Sequence, residues 1–178
     1  MYRYTVSLLE MLEDSQASLA SMLTSKHIGP LKDEAASWAA KLLSVSEVIE
    51  QWLSVQHHWV HLESVFALPS TKKDLPQEAK RFASIDKTWT KLMKKTYEVK
   101  NVIQCCHGGE PPKTATLSHL SEQLEYCQRS LTTYLDEKRK LFPRFYYVSD
   151  TVLLAILSSH SNIEAVSKHF RCVKRHRL

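Results

Sequence analysis

Glycine is nearly absent: the 178-residue chain holds only Gly29, Gly108 and Gly109, where a usual share is ~7%. Phosphate-cradling loops need glycine for close backbone approach. Neither a Walker loop nor a G-x-G-x-x-G turn can be built from these three, and the G-x-S-x-G nucleophile elbow is missing too. Sheets with tight turns are disfavoured on the same ground. Long apolar runs are also lacking, since no stretch approaches the ~18 residues of a membrane span. The N-terminal residues are interrupted by Glu10 and Glu13 and carry no small-residue cleavage site, so no signal peptide is expected. Cysteine is sparse, at Cys105, Cys106, Cys127 and Cys172. An adjacent pair is no disulfide framework, and reduced thiols in an intracellular protein are the simplest account.

Charge is unevenly spread. Lys168, Arg171, Lys174, Arg175 and Arg177 crowd the C-terminus without an acidic neighbour, and the remaining 19 basic residues balance 19 acidic ones. Such a tail can bind nucleic acid or anionic lipid. A neutral body makes a nucleic-acid partner an unfavoured reading, and a solvated terminus the preferred one.

What is abundant is helical periodicity. Val6, Leu8, Leu9, Leu12, Leu19, Met22 and Leu23 recur at three- and four-residue steps over 3–26, with a stop at Gly29-Pro30. A second helix is expected over 31–66. Ala35, Leu42, Ile49, Gln56 and Glu63 form one seven-residue row, and Trp38, Val45, Trp52, Trp59 and Phe66 form another. Gln56 and Glu63 interrupt the first row, which implies a third partner, water or an exposed seam there. Leu68-Pro69 breaks this helix, and Asp74-Leu75-Pro76 reads as a cap with a first-turn proline. A third helix runs to Tyr97 with Phe82, Ile85, Trp89, Leu92 and Met93 on one face.

A short apolar stretch, 99–106, and a loop over 107–112 follow. A fourth helix spans 116–140, with rows Leu117, Leu124, Leu131, Lys138 and Leu120, Cys127, Tyr134, Leu141. Pro143 stops it, because proline lacks the amide donor and restrains Phe142 to extended geometry. Phe145–Val148 is the one strand-like run. Short helices are expected over 152–158 and from Asn162. The expected fold is therefore all-α, an elongated bundle of long helices with heptad packing and one short extended segment near 143–148.

Chemistry is hard to place on this frame. Paired carboxylates such as Asp136-Glu137 lie beside lysines on solvated helix faces. His57 and His61, and likewise His169, Cys172 and His176, have ligand spacing, but nothing in the sequence assembles the four ligands zinc takes. No catalytic residue, cofactor or metal site is expected.

Two segments carry a family resemblance. TYLDEKRKLFPRFYYVSDTVLLAILS, from Thr133, and VIEQWLSVQHHWVHLESVF, upstream of it, resemble signature stretches of the dynein heavy chain linker. LPQEAKRFASIDKTW and NVIQCC look most like the gamma-type heavy chains of the axonemal outer arm. Trp52, Gln56, Trp59, Glu63 and Phe66 fall on the first signature. Tyr134, Lys138, Arg139, Phe142, Pro143, Arg144, Phe145, Ser149 and Asp150 fall on the second. Asp136 departs mildly, standing where glutamate or another polar residue is common.

The resemblance implies a partial linker over 1–170 and a non-matching basic tail over 171–178. In the family the linker continues into six AAA+ modules, so the chain reads as truncated before the ring. It implies a mechanical lever that bends and straightens with nucleotide state in a microtubule-based motor of the cilium or flagellum axoneme. Its partners would be the AAA+ ring, the intermediate and light chains, and microtubules only indirectly; no membrane is implied. Within F-P-R-F, Phe142 and Phe145 are expected to bury and Arg144 to pair with a carboxylate. An alternative of a different class is a stand-alone helical adaptor for coiled-coil partners.

Overall fold

The computed structural model describes residues 2–99, 101–107 and 112–158. Every regular element among them is helical. In chain order they are α1 (Tyr2–Thr24), a 3-10 turn (Gly29–Leu31), α2 (Lys32–Phe66), α3 (Pro69–Asp74), α4 (Pro76–Glu98), α5 (Val102–His107), α6 (Lys113–Leu141), a 3-10 helix (Pro143–Tyr147) and α7 (Asp150–Ser158). Prolines begin three of these pieces, at Pro69, Pro76 and Pro143, and Pro30 stands second in the first 3-10 turn, all places where a missing amide costs nothing. Gly29, at φ +38°, supplies the left-handed residue between α1 and α2. The last expected helix, from Asn162, the basic tail 171–178 and the His169–Cys172–His176 cluster lie outside the described residues. Among the described residues no helix is long and apolar enough to cross a membrane.

The chain divides into two compact units, one of Met1–Ser54 with Leu92–His119, the other of Val55–Lys91 with Leu120–Leu178. In the first unit α1 turns Leu9, Leu12, Gln16, Leu19 and Leu23 inward at three–four spacing, though none is fully buried. Gln16 Nε2 donates to the Leu42 carbonyl of α2 at 3.1 Å. Val45, Val48, Cys105 and Leu117 form this unit's buried apolar set. Its outer surface keeps Val6, Leu8, Met11, Met22, Trp38 and Leu43 exposed.

In the second unit Val55, Leu62, Val65 and Phe66 of α2 are buried with Phe82, Ile85 and Trp89 of α4 and Leu120, Leu124, Cys127, Leu131 and Leu135 of α6. Phe66 stacks on Phe82 with ring centroids 5.2 Å apart. α3 packs against α7, whose Leu153, Leu154 and Ile156 are buried.

Two expectations change. The aromatic row of α2 pairs with Val48, Val55 and Leu62, one residue before the assumed row Ile49, Gln56, Glu63. These valines and Leu62 are at most 1% exposed, while Glu63 faces solvent. Steps of three and four link 45, 48, 52, 55, 59, 62 and 66 without a gap, so the polar residues flank the seam and do not interrupt it. The expected extended segment over 143–148 is a 3-10 helix; only its flanking residues Phe142 and Val148 are extended. Aromatic and β-branched residues favour strands only where a partner edge and a packed face exist, and a five-residue link between two helices has neither. Leu68-Pro69 ends α2 as expected, but the chain goes straight into α3.

Candidate functional site

The second signature forms a corner at the end of α6. Pro143 cannot continue the helix, so the chain leaves through the 3-10 turn and re-enters helix at Asp150. Arg139 closes this corner. Its Nη1 donates to Asp136 Oδ1 at 3.2 Å, and its Nη2 donates to the Val148 carbonyl at 3.4 Å and to Asp150 Oδ1. The guanidinium side chain is 13% exposed while both carboxylates are about half exposed, at 49% and 52%. The hydrogen bond that Arg139 donates to Asp150, and to a lesser extent the one it donates to Asp136, raises its pKa against the opposing effect of burial. The planar fork of arginine suits such a multi-point clamp, and lysine would not reproduce it. Asp150 also sits at the N-terminus of α7, where a carboxylate is favoured by the helix dipole. Ser149 accepts the Leu153 amide through its carbonyl at 2.9 Å, and its hydroxyl lies 3.1 Å from that of Thr151.

The remaining signature residues distribute around this clamp. Phe145 is half-buried, and Phe142 is 40% exposed and packs edge-on against it at 4.8 Å. Arg144 is exposed, and among the described residues the carboxylates of this corner go to Arg139 and not to Arg144. Lys138 Nζ lies 5.0 Å from the Tyr134 ring centre. The Tyr134 hydroxyl donates to Asp74 at the end of α3. On the first signature, Trp59 donates from Nε1 to Asp86 Oδ1 at 3.2 Å and tilts against Trp89 at 6.3 Å. Phe66 is buried, Gln56 half-buried and Glu63 exposed. Trp52 belongs to the other unit, with Lys113 Nζ 5.8 Å from its ring. Asp86 and Arg81, which lies 4.0 Å over the Tyr126 ring, were not singled out from sequence, and Asp74 was read only as a helix cap, not as the partner of Tyr134. Their partners are 27–60 residues away, a separation no local pattern reports.

Among the described residues no three His, Cys, Asp or Glu side chains converge as for a metal. The arrangement is a set of tied helix ends and aromatic pairs.

The chain matches the family described as dynein heavy chain, N-terminal region 2, over residues 2–173. It belongs to the dynein heavy chain family. It is 48% identical over 166 residues to human dynein axonemal heavy chain 8, covering 93% of this chain and 4% of that protein. Against the gamma chain of the Chlamydomonas reinhardtii flagellar outer arm it is 46% identical over 167 residues, 94% of this chain and 4% of the relative. Rat dynein axonemal heavy chain 5 is 43% identical over 165 residues, covering 93% and 5%. This dynein segment thus spans only a small fraction of its relatives' length.

Tyr134 gives this dynein segment a measurable alkaline signature. Burial, then the Asp74 carboxylate, pushes its phenol well above the usual ~10. The folded form keeps its proton where the unfolded chain loses it. Stability from this contact is therefore intact below pH ~10 and falls as pH rises further. In urea titrations the stability gap between the native chain and Tyr134→Phe should be constant from pH 7 to 9 and narrow above 10. A gap that stays constant into the alkaline range refutes the assignment.

Proposed function

We propose that this chain is part of the linker of an axonemal outer-arm dynein heavy chain, residues 1–170 supplying the lever and 171–178 a separate basic tail. The observation that carries this reading is the α6–α7 corner, where Arg139 ties the end of a 29-residue helix to the start of the next. A lever needs rigid rods and fixed joints, because close-packed helices transmit strain where loose ones absorb it. In this reading the segment works as a mechanical element of a microtubule-based motor in cilia or flagella. ATP hydrolysis belongs to AAA+ modules elsewhere in the heavy chain, and intermediate and light chains are partners through the assembled complex.

The test uses the full heavy chain. A partly buried charged hydrogen-bond cluster contributes ~1–3 kcal/mol, discounted here because both carboxylates are half in solvent. Arg139→Ala should cost the segment about 1–2 kcal/mol by urea titration. It should also slow ATP-driven microtubule gliding while ATP turnover persists. Unchanged gliding at unchanged turnover would sink the lever reading.

A second reading, a helical adaptor, is favoured by one observation: Val6, Leu8, Met11 and Met22 of α1 stay exposed, as a helix with a missing helical partner would. A monomeric chain that captures no coiled coil in pull-down would count against it.

A further inference from the structure

Cys105 lies in α5 and Lys113 at the start of α6, and both residues are 7% exposed. Asn101 fixes α5 by accepting the Gln104 amide on Oδ1 at 3.1 Å and the Cys105 amide on its carbonyl at 2.8 Å. Lys113 opens α6, and its Nζ points at Cys105 Sγ from 2.6 Å. The Trp52 ring lies 5.8 Å beyond. A lysine is almost never this buried without a paired charge, and among the described residues no carboxylate pairs with Lys113. The separation is inside ordinary non-bonded contact. It matches the span of two consecutive single bonds through one light atom, and it is too long for a direct nitrogen–sulfur bond.

We propose that Cys105 and Lys113 are an oxidative modification site, at which peroxide closes a covalent N–O–S bridge joining α5 to α6. The balance is simple. The Cys105 thiol, the Lys113 amine and two hydrogen peroxide molecules give the bridged pair and three waters. Sulfur and nitrogen each lose two electrons; the S–H bond and one N–H bond break as S–O and O–N form. The oxidant is a peroxide, the class that commonly drives the thiol oxidation ladder.

Competing chemistry is disfavoured locally. Adjacent Cα atoms lie ~3.8 Å apart, short of the ~4.4–6.8 Å usual for disulfides, so a Cys105–Cys106 bond would require α5 to unwind. Burial, and next the neighbouring Cys105 sulfur, push the Cys106 thiol up, with Lys113 opposing. A raised thiol pKa leaves Cys106 less thiolate to react with peroxide than an ordinary thiol has.

The test treats the reduced 178-residue chain with hydrogen peroxide, blocks free thiols, digests with trypsin and sequences the peptides by mass spectrometry. The expected product is a single tryptic peptide, 101–129, with positions 105 and 113 bridged inside it, heavier than its unbridged form by one oxygen less two hydrogens. Cleavage after Lys113 should be lost in step, and a phosphine reductant should restore it. The product should persist in Cys106→Ala and vanish in Cys105→Ser and Lys113→Met. Three results overturn the proposal: sulfinic acid at Cys105 with Lys113 still cleavable, a disulfide at Cys105, or an internal 105–113 linkage lacking the oxygen. The native chain's own product decides the matter even if a variant folds poorly.

Discussion

Leu62→Ala should destabilise the chain by ~3–4 kcal/mol, whereas Glu63→Ala, one residue along the same helix, should stay within ~0.5 kcal/mol. Leu62 is 0% exposed in α2, and truncating such a leucine costs its transfer free energy plus the cavity left behind. Glu63 is exposed, and surface changes away from special features are close to neutral. The pair measures the register of the α2 seam. Had Ile49, Gln56 and Glu63 been the buried row, position 63 would carry a desolvated carboxylate, and its removal would relieve a cost of several kcal/mol. Urea unfolding of both variants, with the slope unchanged, provides the readout. A gain in stability in Glu63→Ala, together with a near-neutral Leu62→Ala, would show that the seam runs on the other side of the tryptophans.

That register error marks the limit of what was legible. The helix ends were readable because they rest on proline and glycine: Gly29, Pro69, Pro76 and Pro143 all stand where the boundaries fall. The row Val45, Trp52, Trp59, Phe66 was readable because most of its side chains are large, but Trp38, expected at its start, is 41% exposed. Its companion row was ambiguous, since Val48 and Ile49 are both apolar and seven-residue spacing alone accepts either. On α6 the row Leu117, Leu124, Leu131 held, but the inward position then moved to Leu135, which is 0% exposed, while Lys138 is only half-buried. A straight helix drifts against a strict heptad, and over 29 residues the drift is enough to change the inward face.

The F-P-R-F corner was recognised as a punctuation, yet its ion pair was expected at Arg144 and lies at Arg139. Only the turn geometry, which brings Asp150 back toward α6, separates the two arginines. The Tyr134–Asp74 and Trp59–Asp86 contacts were invisible, because each joins residues that come together only after the helices have packed.

A comparable effect belongs to the helix ladder itself. Ser54→Pro should cost roughly 3 kcal/mol, Ser54→Gly about 0.5, and Ser54→Ala should be neutral to slightly stabilising, in line with helix-interior preferences. Ser54 is exposed, so no core contact is lost in any of the three. Proline removes one backbone hydrogen bond and drives its ring against the carbonyl four residues earlier, kinking the rod. Gly and Ala keep the ladder and differ only in backbone entropy.

The position matters because α2 is continuous from Lys32 to Phe66 and Ser54 lies well inside it. A kink there acts on the rod without touching either signature aromatic beside it, Trp52 or Trp59. In the isolated chain, circular dichroism and urea titration should give the order Pro, Gly, Ala. Equal stability for Pro and Ala would mean that α2 is already broken near this point.

In a full heavy chain the same series separates stability from leverage. Proline should abolish ATP-driven gliding while ATP turnover continues, and glycine should leave gliding nearly intact. If proline destabilises the segment as expected and gliding is nonetheless preserved, α2 is a structural rod that carries no load, and the lever must run through other helices.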